Sequence, residues 1–307
     1  LLANATITAT QARTSATLVM PAGAKVKYAR LYWAALKTGD QADKTATLDW
    51  DGGPVEKVTA DDSWVIPYGF ASHPDWFYYQ ASGDVTKYVN TWGAGDCRVT
   101  DVEAIPLAGV DVDRAFSAWT MVVFYEKPGD SLRNLALFDG FTSIDPTLGT
   151  PSASVTLSGF LVPPGFDAKM AAFAYEGDNA YDGDRFSING TEVSNGQNPG
   201  KNFFNSSRSY LGAPFSGSAD VPLITGEPGT MAGYDLDTVD ITSVVAAGDT
   251  SAKVGADSSY DIFLLGGFVT SITNKSPDFG AMTKTAVDVN RGVLLPGDEV
   301  EYTITSQ

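Results

Sequence analysis

Hydrophobic and polar residues in this chain fall into short runs, many with a period of two, separated by Gly, Pro, Asn and Asp. That spacing predicts β-strands joined by turns. Residues 3–20 carry two strand-like stretches, and Lys25–Ala35 follows as a strong strand after a Pro-Ala-Gly turn. Thr45–Trp50 is the next, closed by Asp51-Gly52-Gly53-Pro54. Residues 62–85 read as a long loop rich in aromatic side chains, and Val85–Val89 and Cys97–Val102 resume strand character. Phe116–Tyr125 is apolar with almost no charge and has lost its alternation, which predicts a central strand buried on both faces. Glu126–Asp130 breaks it, and Arg133–Phe141 is expected to return beside it as a hairpin.

The second half repeats the first in order. Ala168–Glu176 resembles Lys25–Ala34, Phe186–Val193 resembles Thr47–Val55, Asp240–Thr250 matches Asp84–Cys97, and Tyr260–Ile272 matches Ala115–Glu126. Turn residues are generic in β-proteins and give isolated matches by chance, but matches kept in order suggest an internal duplication. The expected architecture is all-β: two tandem jelly-roll or Greek-key-like β-sandwiches, 1–147 and 148–275, and a C-terminal segment 276–307 holding a strand pair. Asp145-Pro146-Thr147 and Gly149-Thr150-Pro151 read as the join. A hydrophobic fraction of 43% is ample for such cores, while 31 Gly and 16 Pro suit many turns.

Charge narrows the partners. The net charge of −17 leaves no basic face for phosphates, so nucleic acid is not expected. Acidic surfaces keep secreted proteins soluble and attract cations such as Ca²⁺. One cysteine, Cys97, and one histidine, His73, supply neither an internal disulfide nor a four-ligand zinc site. No apolar run approaches the ~20 residues of a membrane span. The chain begins at Leu1 without Met, so a processed start is expected.

Beyond Pro277 the character changes. Lys284-Thr285, Asp288, Leu295-Pro296-Gly297-Asp298 and the strand Tyr302-Thr303-Ile304-Thr305 resemble the opening of the β-sandwich repeat that forms tandem arrays on large prokaryotic surface proteins. The likeness covers residues 282–307 only. The preceding region is similar to head modules of such arrays through Asp113–Phe116, Trp119, Tyr125-Glu126, Asp139-Gly140-Phe141 and Asn202–Ser206. The resemblance implies an extracellular, cell-surface location and a structural or adhesive role. The tail is then either an incomplete repeat or a strand donated to a neighbour's sheet edge, since a lone hairpin is marginal in water. Partners would be copies of itself or neighbouring surface domains. Related sandwiches carry Lys–Asn isopeptide bonds, and Lys284 sits on a fitting strand, but its usual partner strands are not in this sequence.

Two constellations could carry binding. Glu176, Asp178, Asp182 and Asp184 crowd one Gly-bearing loop, with the oxygen-rich character calcium wants; the competing reading is a solvated acidic turn. Trp64, Tyr68, Trp76 and Tyr78 are candidates for stacking on carbohydrate beside Asp61, Asp62 and Asp75; the competing reading is a cap on the sandwich core. Asp111 and Asp113 next to Arg114 read as a salt bridge or turn rather than a metal pair. Catalysis has little support: no phosphate loop is present, and the lone His and Cys lie far apart. The expected function is a structural or adhesive surface or fibre protein assembling through its C-terminal strands, with a calcium-dependent carbohydrate-binding module and, last, a polysaccharide hydrolase as alternatives.

Overall fold

The structure, a computed structural model, describes residues 14–50, 53–106, 114–217, 224–274, 283–289, 291 and 297–305. Asp111 and Asp113 lie outside the described residues. The fold is all-β and divides into two compact units, 1–274 and 275–307.

In the first unit the chain runs β1 (Thr14–Leu18), β2 (Lys25–Thr38), β3 (Thr45–Trp50), β4 (Val55–Thr59), β5 (Asp62–Pro67), β6 (Trp76–Asp84), helix α1 (Thr86–Trp92), β7 (Gly95–Thr100) and β8 (Ser117–Glu126). β9 (Arg133–Ile144) follows. The second half holds β10 (Ser152–Ser158), β11 (Ala168–Tyr175), β12 (Asp184–Ile188), β13 (Thr191–Glu192), β14 (Arg208–Tyr210), β15 (Ala213–Pro214), β16 (Tyr234–Asp240), β17 (Ser251–Ser258) and β18 (Phe263–Thr273).

Four sheets result. Sheet I has the order β1-β7-β3-β4 and sheet II the order β5-β6-β2-β8. Sheet III is β15-β14-β16-β11-β18-β9, and sheet IV is β10-β17-β12-β13. The repeat is visible in this order: β1, β7, β3 and β4 correspond to β10, β17, β12 and β13, and β6-β2-β8 corresponds to β16-β11-β18. It extends to single hydrogen bonds. Asp84 Oδ1 accepts from Thr86 N, and the Thr86 hydroxyl accepts from Ala29 N at 2.9 Å while facing Ala29 O. Asp240, Thr242 and Ala168 make the same three contacts, the hydroxyl accepting from Ala168 N at 3.0 Å.

Three apolar cores lie between the four sheets. Leu31, Trp33 and Ala35 of β2 pack against Leu48 and Val99 of sheet I, while the alternate residues Tyr32, Ala34 and Leu36 join Phe173, Tyr175 and Leu264 of sheet III. On β11 the alternation repeats, with Met170 and Ala172 facing Phe186, Ile188 and Val254 of sheet IV. Strands of sheets II and III are therefore buried on both faces, which is why β2 and β11 are almost continuously apolar. The middle core joins the halves into one unit, so residue 147 marks no break in packing.

Several sequence expectations need correction. β8 and β9 do not form a hairpin: β8 pairs with β2 in sheet II and β9 with β18 in sheet III. The 127–132 turn carries the chain from one sheet to the next. β8 is also an edge strand rather than a central one; β2 and β11 hold the central places. Residues 62–85 are not one long loop: β5 and β6 pair antiparallel, with Trp64 opposite Gln80, and only residues 68–75 between them form a loop. Thr86–Val89 belongs to α1, with Val85 as its N-cap. Val85, Tyr88, Val89 and Trp92 fall at i, i+3, i+4 and i+7, one helical face, and all four pack on the core between sheets I and II.

The second unit contains β19 (Thr283–Asp288) and β20 (Val300–Thr305), paired antiparallel with Lys284 opposite Ile304 and Ala286 opposite Tyr302.

Candidate functional site

The aromatic residues of the β5–β6 hairpin mostly pack on one another. Tyr68 and Tyr78 are buried in the core between sheets II and III. Trp76 stacks on His73 with ring centroids 3.7 Å apart, and Tyr68 lies 5.4 Å from Trp76. Trp64 is half-buried on β5. Phe116 is sandwiched between Tyr78 and Tyr175, at 5.8 and 4.9 Å. The Arg114 guanidinium lies over the neighbouring Phe70 ring, 4.3 Å from its centre. Core packing thus takes up Tyr68 and Tyr78, leaving Trp64 and Trp76 as the candidates with surface to offer.

The four acidic residues of the 176–184 loop separate into two kinds. Asp182 is exposed, and Asp178 holds the turn by accepting from Ala180 N and Tyr181 N at 2.7 and 3.1 Å. Glu176 and Asp184 instead point inward and are 5% and 0% exposed. Glu176 ends β11 in a left-handed backbone conformation, φ +70°.

Inside, these two meet carboxyl groups distant in sequence. Asp235 and Asp237 alternate on β16 with Tyr234 and Leu236, which face sheet II, and so turn toward sheet IV, where β12 starts with Asp184. Asp261, in the turn between β17 and β18, completes a group of five buried acids. Each has one oxygen without a hydrogen-bond partner: Glu176 Oε2, Asp184 Oδ1, Asp235 Oδ2, Asp237 Oδ2 and Asp261 Oδ2. The other oxygens of the aspartates are fixed. Asp184 Oδ2 accepts from Phe204 N at 2.6 Å, Asp235 Oδ1 from Ser207 N at 3.0 Å, and Asp261 Oδ1 from Ile262 N at 2.7 Å. Asp237 Oδ1 accepts from the Ser209 hydroxyl at 2.6 Å.

Burial of a carboxylate without a countercharge costs several kcal/mol, so such groups hold their protons or take a cation. Burial, then repulsion from Asp261, raises Glu176 well above the usual carboxylate range, with Arg114 opposing. Burial pushes Asp184 up to about 7, Asp237 to about 6 and Asp261 to about 8. Asp235 is raised by burial and by its neighbour Asp237. Among the described residues no lysine or arginine forms an ion pair with any of the five.

Two sequence-predicted sites thus lie close together: Tyr78 stacks on Phe116, Phe116 stacks on Tyr175, and Glu176 follows Tyr175 in the chain. Sequence reasoning found Glu176 and Asp184 from local density but missed Asp235, Asp237 and Asp261. The available signal was Tyr234-Asp235-Leu236-Asp237, an alternation ordinarily read as a strand with one wet face. Among the described residues no three acidic, histidine or cysteine side chains converge at metal-ligand distance, so the loop set Glu176, Asp178, Asp182 and Asp184 is not brought together as a calcium cage. Comparison of the chain with family models, curated proteins and solved structures finds no match.

Proposed function

We propose that this chain is a structural module of an extracellular prokaryotic surface or fibre protein. Its large unit is a rigid stacked body, and its C-terminal hairpin joins further β-strands. The observation that carries this reading is the hairpin itself. One face of β19–β20 bears Ala286, Val300, Tyr302 and Ile304 together with Lys284 and Asp288, and Tyr302 and Ile304 are 57% and 60% exposed. The other face bears Thr283, Thr285, Thr303 and Thr305 with Val287 and Glu301, and Val287 is 58% exposed. A lone two-stranded ribbon that leaves Val287, Tyr302 and Ile304 exposed is marginal in water, and it gains stability when strands or a second sheet cover it. The acidic surface and the surface-repeat resemblance support the extracellular setting. No helix among the described residues is long and apolar enough to cross a membrane.

A calcium-dependent carbohydrate-binding module ranks second, because Tyr68 and Tyr78 lie in the core and only Trp64 and Trp76 remain to meet a sugar. The role proposed is non-catalytic.

Light scattering on the full chain and on a version ending at Ser276 tests the reading. Concentration-dependent assembly of the full chain, absent from the shortened one, supports it. Monomers in both cases, together with glycan binding lost in Trp64→Ala or Trp76→Ala, would move the carbohydrate reading to the front.

A further inference from the structure

Sheet II holds four strands and packs on sheet III, which holds six. Across the middle core the strands face each other in step. Gln80 of β6 donates to Gly266 O of β18, and the Tyr32 ring of β2 lies 5.0 Å from that of Phe173 on β11. The Thr120 hydroxyl of β8 meets the Tyr234 hydroxyl of β16. At one side β5 lies against β9. At the other, sheet III continues past β16 with β14 and β15, while sheet II stops at β8. Arg208 and Tyr210 pair in register with Leu236 and Thr238, and so share the face that Leu236 turns to sheet II. Phe215, whose N–H bonds Arg208 O, lies on the same face. Tyr210 and Phe215 are 50% and 52% exposed there. The result is a ledge two strands wide.

The strand beside this ledge is an unprotected edge. β8 runs for ten residues, carries no charge before Glu126, and among the described residues pairs with β2 alone. Native edges are kept short, charged or bulged, because a long apolar edge recruits further strands. The second half of the chain fills the equivalent place: β8 corresponds to β18, and β18 pairs on that side with β9, antiparallel. The chain also carries a two-stranded element without cover, the β19–β20 hairpin. Val287 is exposed on one of its faces and Tyr302 and Ile304 on the other, so either face brings an apolar side chain to Tyr210 and Phe215. Charge agrees. In a chain of net charge −17 the ledge is bordered by Lys169 over Tyr210 and Arg208 over Phe215, whereas the hairpin exposes Glu299 and Glu301.

We propose that the β19–β20 hairpin of a second copy adds to the outer edge of β8 and lies over β14–β15, widening sheet II from four strands to six. This names the partner and the acceptor surface of the assembly proposed above, and rests on that reading. Main-chain hydrogen bonds along β8 supply affinity, and the ledge aromatics select the seated position. Donor and acceptor are different surfaces, so the contact is head-to-tail and propagates as a fibre unless its rotation closes a ring.

Hydrogen exchange of the full chain at rising concentration, with light scattering in parallel, tests it. Amides of residues 117–126 should slow by more than about tenfold as assembly sets in. Tyr210→Glu and Phe215→Glu change half-exposed side chains outside the three cores. Both should stay folded, by circular dichroism, and assemble at least about tenfold more weakly. Val55→Glu, at an exposed position on the β4 edge of sheet I, should assemble as the parent does. Assembly with unchanged exchange in 117–126 overturns the acceptor and leaves the role of the hairpin standing. Undiminished assembly in both ledge variants, or its loss in Val55→Glu, does the same. A parent chain that stays monomeric overturns both. Full protection of 117–126 already in the monomer would mean that the chain fills its own edge, residues 1–13 preceding β1 as β9 precedes β10, and overturns the proposal equally.

Discussion

The Gln80 side-chain oxygen accepts a hydrogen bond from the Tyr175 hydroxyl at 2.7 Å, linking the two halves of the large unit across the core between sheets II and III. The Gln80 amide nitrogen donates to the carbonyls of Gly140 and Gly266, at 2.7 and 3.0 Å. Gln80 is fully buried, and this polar node is satisfied within an otherwise aromatic and aliphatic layer. Polar groups that find partners only in one docking geometry fix that geometry.

Gln80→Leu should therefore destabilise the protein by roughly 1–3 kcal/mol, because a buried hydroxyl and two carbonyls lose their partner. Urea unfolding measures it. Tyr175→Phe should cost less, and the double variant should cost less than the sum of the singles. Additive losses would show that the two side chains do not act as a pair.

Gly266→Ala should be as damaging as a core truncation. The added methyl would lie 2.6 Å from Gln80 Oε1 and 2.7 Å from Phe173 Cδ2, both on side chains held in the packed interior. Overpacking of this kind costs about 1–3 kcal/mol. Gly140→Ala on β9 makes the control, since a methyl there meets nothing within 4 Å.

The repeated clip at Thr86 and Thr242 gives a paired prediction. Thr86→Val leaves the Ala29 N–H without its acceptor, and Thr242→Val does the same to Ala168. Each should cost about 1–3 kcal/mol, the penalty for one buried unsatisfied donor. Similar losses at the two sites, read from denaturation midpoints, would show that the clip does the same work in both halves. A loss confined to one would show that the halves have diverged in how they hold α1 and its counterpart turn.

Cys97 should resist thiol reagents at pH 8. It is buried, its Sγ donates to Ala16 O at 3.3 Å, and burial followed by repulsion from Asp96 pushes the thiol up to about 12. The reactive species is the thiolate, so reaction should be slow at pH 8 and speed up only as pH climbs toward that value or when urea unfolds the chain. Rapid modification of the native protein at pH 8 would contradict the burial of Cys97 and the pairing of β1 alongside β7.

Much of the fold was legible in the chain because periodicity and turn residues are local signals. The Asp-x-Thr clip at 84–86 and 240–242 was legible as a repeated triplet, and its hydrogen bonds give the physical reason for the triplet. The pairing of β8 and β9 was not legible. Both strands are apolar enough to pack in either inner sheet, and nothing within 127–132 states that the chain changes layer there. The acidic site was half legible: Glu176 and Asp184 stand close in sequence, whereas Asp235, Asp237 and Asp261 join them only through the facing of sheets III and IV.

The position of β18 has a mechanical meaning. It lies between β11 and β9, antiparallel to both, and ends at Thr273, just before the second unit. Tension applied along β18 loads the bonds to both neighbours side by side, so that they must yield together. Peeling from an edge would break them one at a time. A protein tethered through its C-terminal segment would in this way hold its shape under drag.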